Sequence, residues 1–197
     1  MLFRTRTSII ADAALLGLRG MVGGYVAAHG AQKMFGVLNG PGLDRAGQHF
    51  EEDLDLAPGR EMAAAAAGSE LVGGTLTAAG LGGPLGPMAI IGTMAVASQT
   101  AHRGKGPFVA DGGPELTLTN VAAATAIALV GPGRFSLDHL LRVRPSKLLI
   151  ALAAWAGVGA GVGVIQGQVV RRAERQTHPV PVVDRVDPEY VELLRSA

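Results

Sequence analysis

The chain has 197 residues with 17 basic and 16 acidic side chains, and its formal net charge of +1 offers no general basis for nucleic-acid binding. It contains no cysteine, which excludes disulfides, iron–sulfur clusters and covalently attached c-type haem. Charged residues make up 17% of the chain, against about 25% in an ordinary soluble domain. The 29 glycines favour a membrane protein, because small residues let helices pack closely in lipid.

Five apolar segments occur in chain order, and we predict a membrane-spanning helix for each. They cover residues 8–35, 61–81, 85–101, 115–130 and 148–170. Thr7 or Ser8 is the expected N-cap of the first helix, and the Gly-Gly-Pro at 82–84 ends the second. Because Asp12 and Arg19 interrupt the first apolar segment, a retained helix is favoured over a cleaved signal peptide.

Two polar segments are predicted to lie outside the membrane. Residues 39–60 are rich in acids and turn-forming residues, and they are expected to form a loop. Asp53 and Asp55 in that loop have the spacing of calcium ligands, but a solvated loop is favoured over a calcium site. Residues 171–197 are predicted to be a polar tail that ends in a short helix beginning at Asp187.

The distribution of basic residues indicates an orientation in the membrane. One group flanks the start of the first segment and the end of the fourth: Arg4, Arg6, Arg134, Arg142, Arg144 and Lys147. By the positive-inside rule this group places the N-terminus in the cytoplasm. Arg171, Arg172 and Arg175 follow the fifth segment and favour the opposite orientation. Of the two orientations, we favour the one with the N-terminus inside. We expect a bacterial cytoplasmic membrane, since the basic residues are mostly arginine and the chain is rich in alanine and glycine.

Glu70 is the most unusual residue of the second apolar segment. It lies inside the apolar run 62–83, at a depth near the bilayer midplane. A charge at that depth costs about 2.5–3.5 kcal/mol on insertion scales, so the carboxyl needs a partner or a function. We predict that Glu70 faces the interior of the bundle, within reach of His29 or Lys33. An ion pair that serves packing alone is the alternative to a chemical role.

Further polar residues are expected at the same side of the bundle. The candidate polar cluster consists of His29, Lys33, Glu70, His102 and Asn120. His29 and Lys33 are one turn apart and therefore share a helix face. Structural hydrogen bonding is favoured over metal ligation for the histidines, because no HxxH or carboxylate–histidine spacing accompanies them, and we predict no metal site. Lys33 has the alternative of extending to the lipid headgroups.

The fifth apolar segment has a glycine at every second position from 157 to 163. Gly157 and Gly161 have the small-xxx-small spacing of helix contacts in membranes. We predict that this helix docks on a neighbouring subunit through these two glycines. Trp155 has two interpretations, packing in the same contact or facing lipid.

Three stretches resemble the DoxX family of small membrane proteins. They are AAHGAQKMFG in the first segment, SELVGGTLTAAGL in the second, and GPGRFSLD after the fourth. The resemblance covers about residues 13–141 and implies an all-α, polytopic membrane protein with a four-helix bundle. The chain then divides into a DoxX-like core with an interfacial segment at 1–145, an additional transmembrane helix at 146–170 and the polar tail at 171–197.

The stretch GPGRFSLD, residues 131–138, is called the box below. The box residues with an expected structural role are Gly131, Pro132, Gly133, Arg134, Ser136 and Asp138. The glycines and proline should end the fourth helix as it leaves the membrane. Ser136 should then cap a short interfacial helix, while Arg134 faces the headgroups.

The DoxX resemblance implies a membrane complex with a quinone-linked redox role, in a respiratory or oxidative-stress context. We therefore expect an integral subunit that contacts the lipid bilayer and other subunits, with quinone as a candidate ligand, no covalently bound cofactor and no nucleic acid. The sequence has no recognisable flavin or haem site, so electrons would arrive from a partner. The alternatives are a non-catalytic accessory subunit and a carrier of a small solute or lipid. Whether the chain is an enzyme stays open.

Overall fold

The computed structural model describes residues 8–177, and this part of the chain contains helices and no strand. Its seven α-helices are α1 (Ile9–Phe35), α2 (Gly42–Glu52), α3 (Gly59–Ala79), α4 (Leu85–Thr100), α5 (Glu115–Val130), α6 (Leu137–Leu141) and α7 (Lys147–Thr177). A short 3-10 turn, Val109–Asp111, precedes α5. The helix expected from Asp187 lies outside the described residues.

Helices α1, α3, α4, α5 and α7 correspond to the five predicted segments. Ser8 is the N-cap of α1, where its hydroxyl accepts a hydrogen bond from the Ala11 amide at 3.1 Å. Gly36 ends α1 in the left-handed conformation that glycine favours. Helix α7 continues beyond the predicted fifth segment to Thr177, so the first residues of the predicted polar tail are helical. The arginines near the end of α7 contact Asp55 in the folded chain, and the sequence of the tail alone does not indicate these contacts.

Two of the described helices, α1 and α7, are long and apolar enough to cross a membrane by length and composition. Helix α5 is a shorter apolar helix. The outward surface of the described residues carries many large apolar side chains, among them Tyr25, Leu129 and Trp155. The all-α class and the membrane character expected from the sequence therefore agree with the structure.

The prediction of a loop over residues 39–60 is wrong, because α2 occupies Gly42–Glu52. Its composition is polar, and tertiary contacts with α3 support it. A Cβ at Gly47 would lie 2.9 Å from the Arg60 Cα, so the two helices touch through backbone. Asp44 also pairs with Arg60 at 3.0 Å. Because charged residues dominate this stretch, its sequence pattern does not indicate a helix.

Helices α1, α3, α4 and α5 pack as consecutive antiparallel neighbours, and α7 packs against α4. Gly23 lies against Gly74 of α3, and Gly86 of α4 lies against Thr77 of α3. The α4–α5 contact includes a hydrogen bond between the Ser98 and Thr117 hydroxyls at 2.7 Å. The buried apolar core combines Val26 of α1, Ile90 and Met94 of α4, and Ala124 of α5.

The box has the conformation that its sequence predicts. Gly131 and Gly133 have φ values of 88° and 73°, and they separate α5 from α6. The Ser136 hydroxyl accepts from the His139 amide at 3.2 Å and so caps α6. The predicted break followed by a short helix beginning near Ser136 is confirmed.

Candidate functional site

The Glu70 carboxylate meets the Lys33 ammonium between α3 and α1. The Lys33 Nζ lies 2.5 Å from Oε1 and 2.6 Å from Oε2, so it binds both oxygens. The Glu70 side chain is 4% exposed and that of Lys33 is 28% exposed. The predicted contact between Glu70 and Lys33 is confirmed, and Glu70 faces the bundle interior. The partly exposed ammonium leaves the pair reachable from outside.

Glycine packing brings the two residues to the same level. A Cβ at Gly30 would lie 2.4 Å from the Leu71 amide nitrogen, and a Cβ at Gly74 would lie 2.4 Å from the Ala27 nitrogen. These distances mean that the α1 and α3 backbones touch. Helix side chains point toward their own N-terminus, so Lys33, beyond Gly30, extends back to the level of Glu70. The seven-residue spacing of Gly23 and Gly30 was the sequence signal for this contact.

The other members of the candidate polar cluster have different surroundings. His29 is exposed on the outer surface of α1. The His102 Nδ1 lies 2.6 Å from the Gly112 carbonyl oxygen and ties together the loop before α5. The Asn120 amide lies 3.9 Å from the Met94 sulfur. The structure therefore brings Lys33 and Glu70 together, places His29 one turn away, and gives His102 and Asn120 to other contacts.

A second polar network surrounds the box. The Asp138 carboxylate accepts hydrogen bonds from the Gly82 amide at 2.9 Å and from the Gly83 amide at 2.6 Å. The Asp138 amide in turn donates to the Gly80 carbonyl at 3.0 Å. Asp138 thus connects α6 to the turn between α3 and α4. The structural role expected for Asp138 is therefore a connection between distant parts of the chain.

Two residues of α1 complete this network, a role that the sequence alone does not predict. Arg19 is 1% exposed and donates through Nη2 to the Phe135 carbonyl at 2.5 Å. Asp12 accepts from the Arg134 amide at 3.2 Å, and the Arg134 Nε lies 3.3 Å from its other oxygen. Asp12 and Arg19 are seven residues apart and share a helix face, which was the available signal. Arg134 combines this ion pair with a half-exposed side chain.

The C-terminal part of α7 contacts the connection between α2 and α3. The Arg171 Nε donates to the Asp55 carbonyl at 2.8 Å. The Asp55 carboxylate pairs with Arg172 at 3.2 Å and with Arg175 at 2.9 Å. The expectation that Asp55 lies in a solvated loop is therefore wrong, because α7 covers it. Asp53 pairs with His49 at 2.7 Å and remains exposed.

Within residues 8–177, no group of three or more histidine or acidic side chains is arranged to hold a metal ion. The three polar sites described above are the ion pair between α1 and α3, the network around the box, and the α7 contact with Asp55. Each joins elements that are distant in sequence. Only the first includes residues of the candidate polar cluster.

In a comparison with known protein families, the DoxX family model matches residues 14–103. The matched segment runs from the first turns of α1 through α4 and contains both Lys33 and Glu70. This segment is similar to the DoxX family. The DoxX match ends before the box, so one of the three stretches that carry the resemblance lies outside it. Neither the curated proteins nor the solved structures contain a match to the chain.

Proposed function

We propose that this DoxX-like protein is a multi-pass membrane protein in which α1, α3, α4, α5 and α7 cross the bilayer. The antiparallel packing of α1, α3, α4 and α5 supports this arrangement, as do the large apolar side chains on the outer surface. The Glu70 carboxylate inside the bundle is paired with Lys33, as lipid surroundings require. The arrangement amounts to a four-helix DoxX-like core with a fifth spanning helix beside α4.

The same proposal includes an orientation with the N-terminus and the box on the cytoplasmic side of a bacterial inner membrane. Arg134, Arg142, Arg144 and Lys147 lie on that side. Arg172 and Arg175, which favoured the opposite orientation, are bound to Asp55. Their charge is partly compensated within the fold, and this weakens the conflict between the two groups of arginines.

The function that the geometry supports best is that of an integral subunit in a quinone-linked membrane complex. The observation that carries it is the nearly buried Lys33–Glu70 pair, with a partly exposed lysine and with His29 one turn away on the outer surface. A quinone supplies two carbonyl oxygens and takes up electrons and protons. His29 and Lys33 are hydrogen-bond donors suited to such oxygens, and Glu70 holds the ammonium in place.

A non-catalytic accessory subunit is the second candidate function. The observation that favours it is the outer surface of α7, where large apolar side chains such as Leu152, Trp155 and Val158 are exposed. Gly157 has no atom of another element within 4 Å of a Cβ position, so a neighbouring helix can approach there. In this case α7 attaches the core to another membrane protein, and the Lys33–Glu70 pair serves packing.

Co-purification distinguishes the two functions. The full chain would be extracted in a mild detergent, and bound quinone and proteins would be identified by mass spectrometry. Under the first function the wild type retains quinone, and Glu70→Gln loses most of it. Glu61→Gln, an exposed glutamate in the first turn of the same helix, is the matched control and retains it. Wild-type protein that carries partners but no quinone would favour the accessory function.

A further inference from the structure

The exposed charges at the end of the bundle that carries the box are all positive among the described residues. The exposed basic side chains there are Arg134, Arg142, Arg144 and Lys147. The two carboxylates at this end, Asp12 and Asp138, are 2% and 6% exposed, and both accept backbone N–H groups. We call this part the basic end. An anion that approaches the basic end meets cations and no exposed carboxylate.

An open cleft of about 350 Å³ lies at the basic end between α1, the end of α3 and the box. Its wall is mostly apolar, and the residues that matter here are Leu16, Ala78, Ala79, Arg134, Phe135 and Leu140. Arg134 is the charged residue of this wall, and its side chain is 48% exposed. The volume is within the range of small-molecule sites. The cleft therefore combines an apolar floor with a cation.

A second cation lies behind the wall of this cleft. Arg19 is buried and donates to the carbonyl of Phe135, one of the wall residues. Its Nε and Nη1 groups have no hydrogen-bond partner among the described residues. A buried guanidinium with unsatisfied donors adds positive potential to its surroundings. It therefore strengthens the attraction of the cleft for an anion.

We propose that this cleft binds an anionic glycerophospholipid, with its phosphate at Arg134 and an acyl chain along Leu16 and Leu140. The proposal rests on the membrane insertion proposed above, and it assigns a ligand to a site that the quinone function does not use. Basic pockets between membrane helices are suited to anionic headgroups. The apolar wall favours a lipid over a soluble phosphate, because burial of an acyl chain adds hydrophobic free energy.

Native mass spectrometry of the detergent-purified full chain tests this proposal. The protein would be titrated with phosphatidylglycerol and with phosphatidylcholine of the same acyl chains, and inorganic phosphate would be added as a competitor. We expect a several-fold preference for phosphatidylglycerol that millimolar phosphate does not remove. Equal binding of the two lipids would overturn the proposal. Displacement by inorganic phosphate would assign the cleft to a soluble anion instead.

Two variants locate the binding in the cleft. Arg134→Gln should weaken phosphatidylglycerol binding about fivefold, since a cation near an anionic headgroup contributes about 1 kcal/mol. Leu140→Asp places a negative charge at the mouth of the cleft without affecting the Asp12 ion pair, and it should have a similar or larger effect. Arg103→Gln removes an exposed arginine at the opposite end of the bundle and is the matched control.

The outcomes separate this proposal from the proposed membrane insertion. Unchanged lipid preference in both cleft variants, or an equal loss in Arg103→Gln, would overturn the cleft as the site. Membrane insertion itself is measured first by carbonate extraction of cell membranes. Protein released into the soluble fraction would contradict insertion, whereas a retained protein without lipid preference would contradict the lipid site alone.

Discussion

Gln168 in α7 donates through Nε2 to the backbone carbonyl of Leu54 at 2.5 Å, although the two residues are 114 positions apart. Gln168 is the buried residue of α7 among the described residues, and the arginines that follow it hold the neighbouring Asp55. The last helix is therefore fixed at its C-terminal end to the connection between α2 and α3. Its contact with the bundle combines these polar groups with packing along α4.

Removal of the Asp55 carboxylate should loosen α7. Asp55→Asn leaves Arg172 and Arg175 without their counter-ion, and because both arginines are partly exposed the cost should be about 1 kcal/mol. The measurement is disulfide formation between Val96→Cys and Gly161→Cys, whose side chains would face each other. We expect slower cross-linking in Asp55→Asn, with no background because the chain has no cysteine. Asp53→Asn is the control, and an equal rate in both would contradict the prediction.

Removal of Lys33 and removal of Glu70 should have different effects on the stability of the fold. Lys33→Met leaves a carboxylate that is 4% exposed without its partner, while Glu70→Gln leaves a lysine that is 28% exposed and extends to water. We expect the free energy of unfolding to fall by about 3 kcal/mol for Lys33→Met and by about 1 kcal/mol for Glu70→Gln. The measurement is thermal unfolding in detergent. The double variant should recover most of the loss. Equal effects of the single variants would mean that the pair is more solvated than the structure indicates.

The glycine contact between α1 and α3 should not tolerate a methyl group. Gly30→Ala forces the helices apart, because its Cβ would meet the Leu71 backbone, and we expect a cost of about 1–3 kcal/mol. Gly20→Ala is the matched control on the same helix, since nothing lies within 4 Å of its Cβ position. That control should gain up to about 1 kcal/mol through helix propensity. A stabilising Gly30→Ala would refute the close contact.

The orientation in the membrane has a direct test with introduced thiols. Arg142→Cys at the basic end and Phe108→Cys at the opposite end are both at exposed positions. A membrane-impermeant maleimide added to intact cells should label only Phe108→Cys if the basic end is cytoplasmic. Both should be labelled after membrane permeabilisation. Labelling of Arg142→Cys alone in intact cells would invert the proposed topology.

Substitution of two glycines in α7 should distinguish docking on a partner protein from packing within the chain. Gly161 faces Val96 at 3.3 Å from its Cβ position, so Gly161→Leu should disturb the α4–α7 contact. Gly157→Leu adds a side chain in open space and should leave the fold intact. We expect Gly157→Leu to lose co-purifying membrane partners while its unfolding temperature is unchanged. Retention of all partners would mean that this face of α7 contacts lipid.

The sequence by itself determined the five long helices and most of their approximate ends. Apolar segment length, the Ser8 cap, the Gly82–Gly83 break and the box glycines are local signals, because capping and backbone conformation depend on neighbouring residues. The Glu70–Lys33 pairing was also predictable, since a carboxylate in an apolar run requires a partner and helix geometry restricts the choice. The DoxX resemblance came from the same helices.

Only the tertiary structure decided which polar residues share a site. His29 and Lys33 share a face of α1 by spacing, yet His102 and Asn120 belong to other contacts because helix rotation and depth depend on packing. Helix α2 was invisible in a charged stretch, since its support comes from α3. The cleft at the basic end and the attachment of α7 to Asp55 join residues more than a hundred positions apart. No local pattern encodes such pairings, because they depend on how the helices pack in the folded chain.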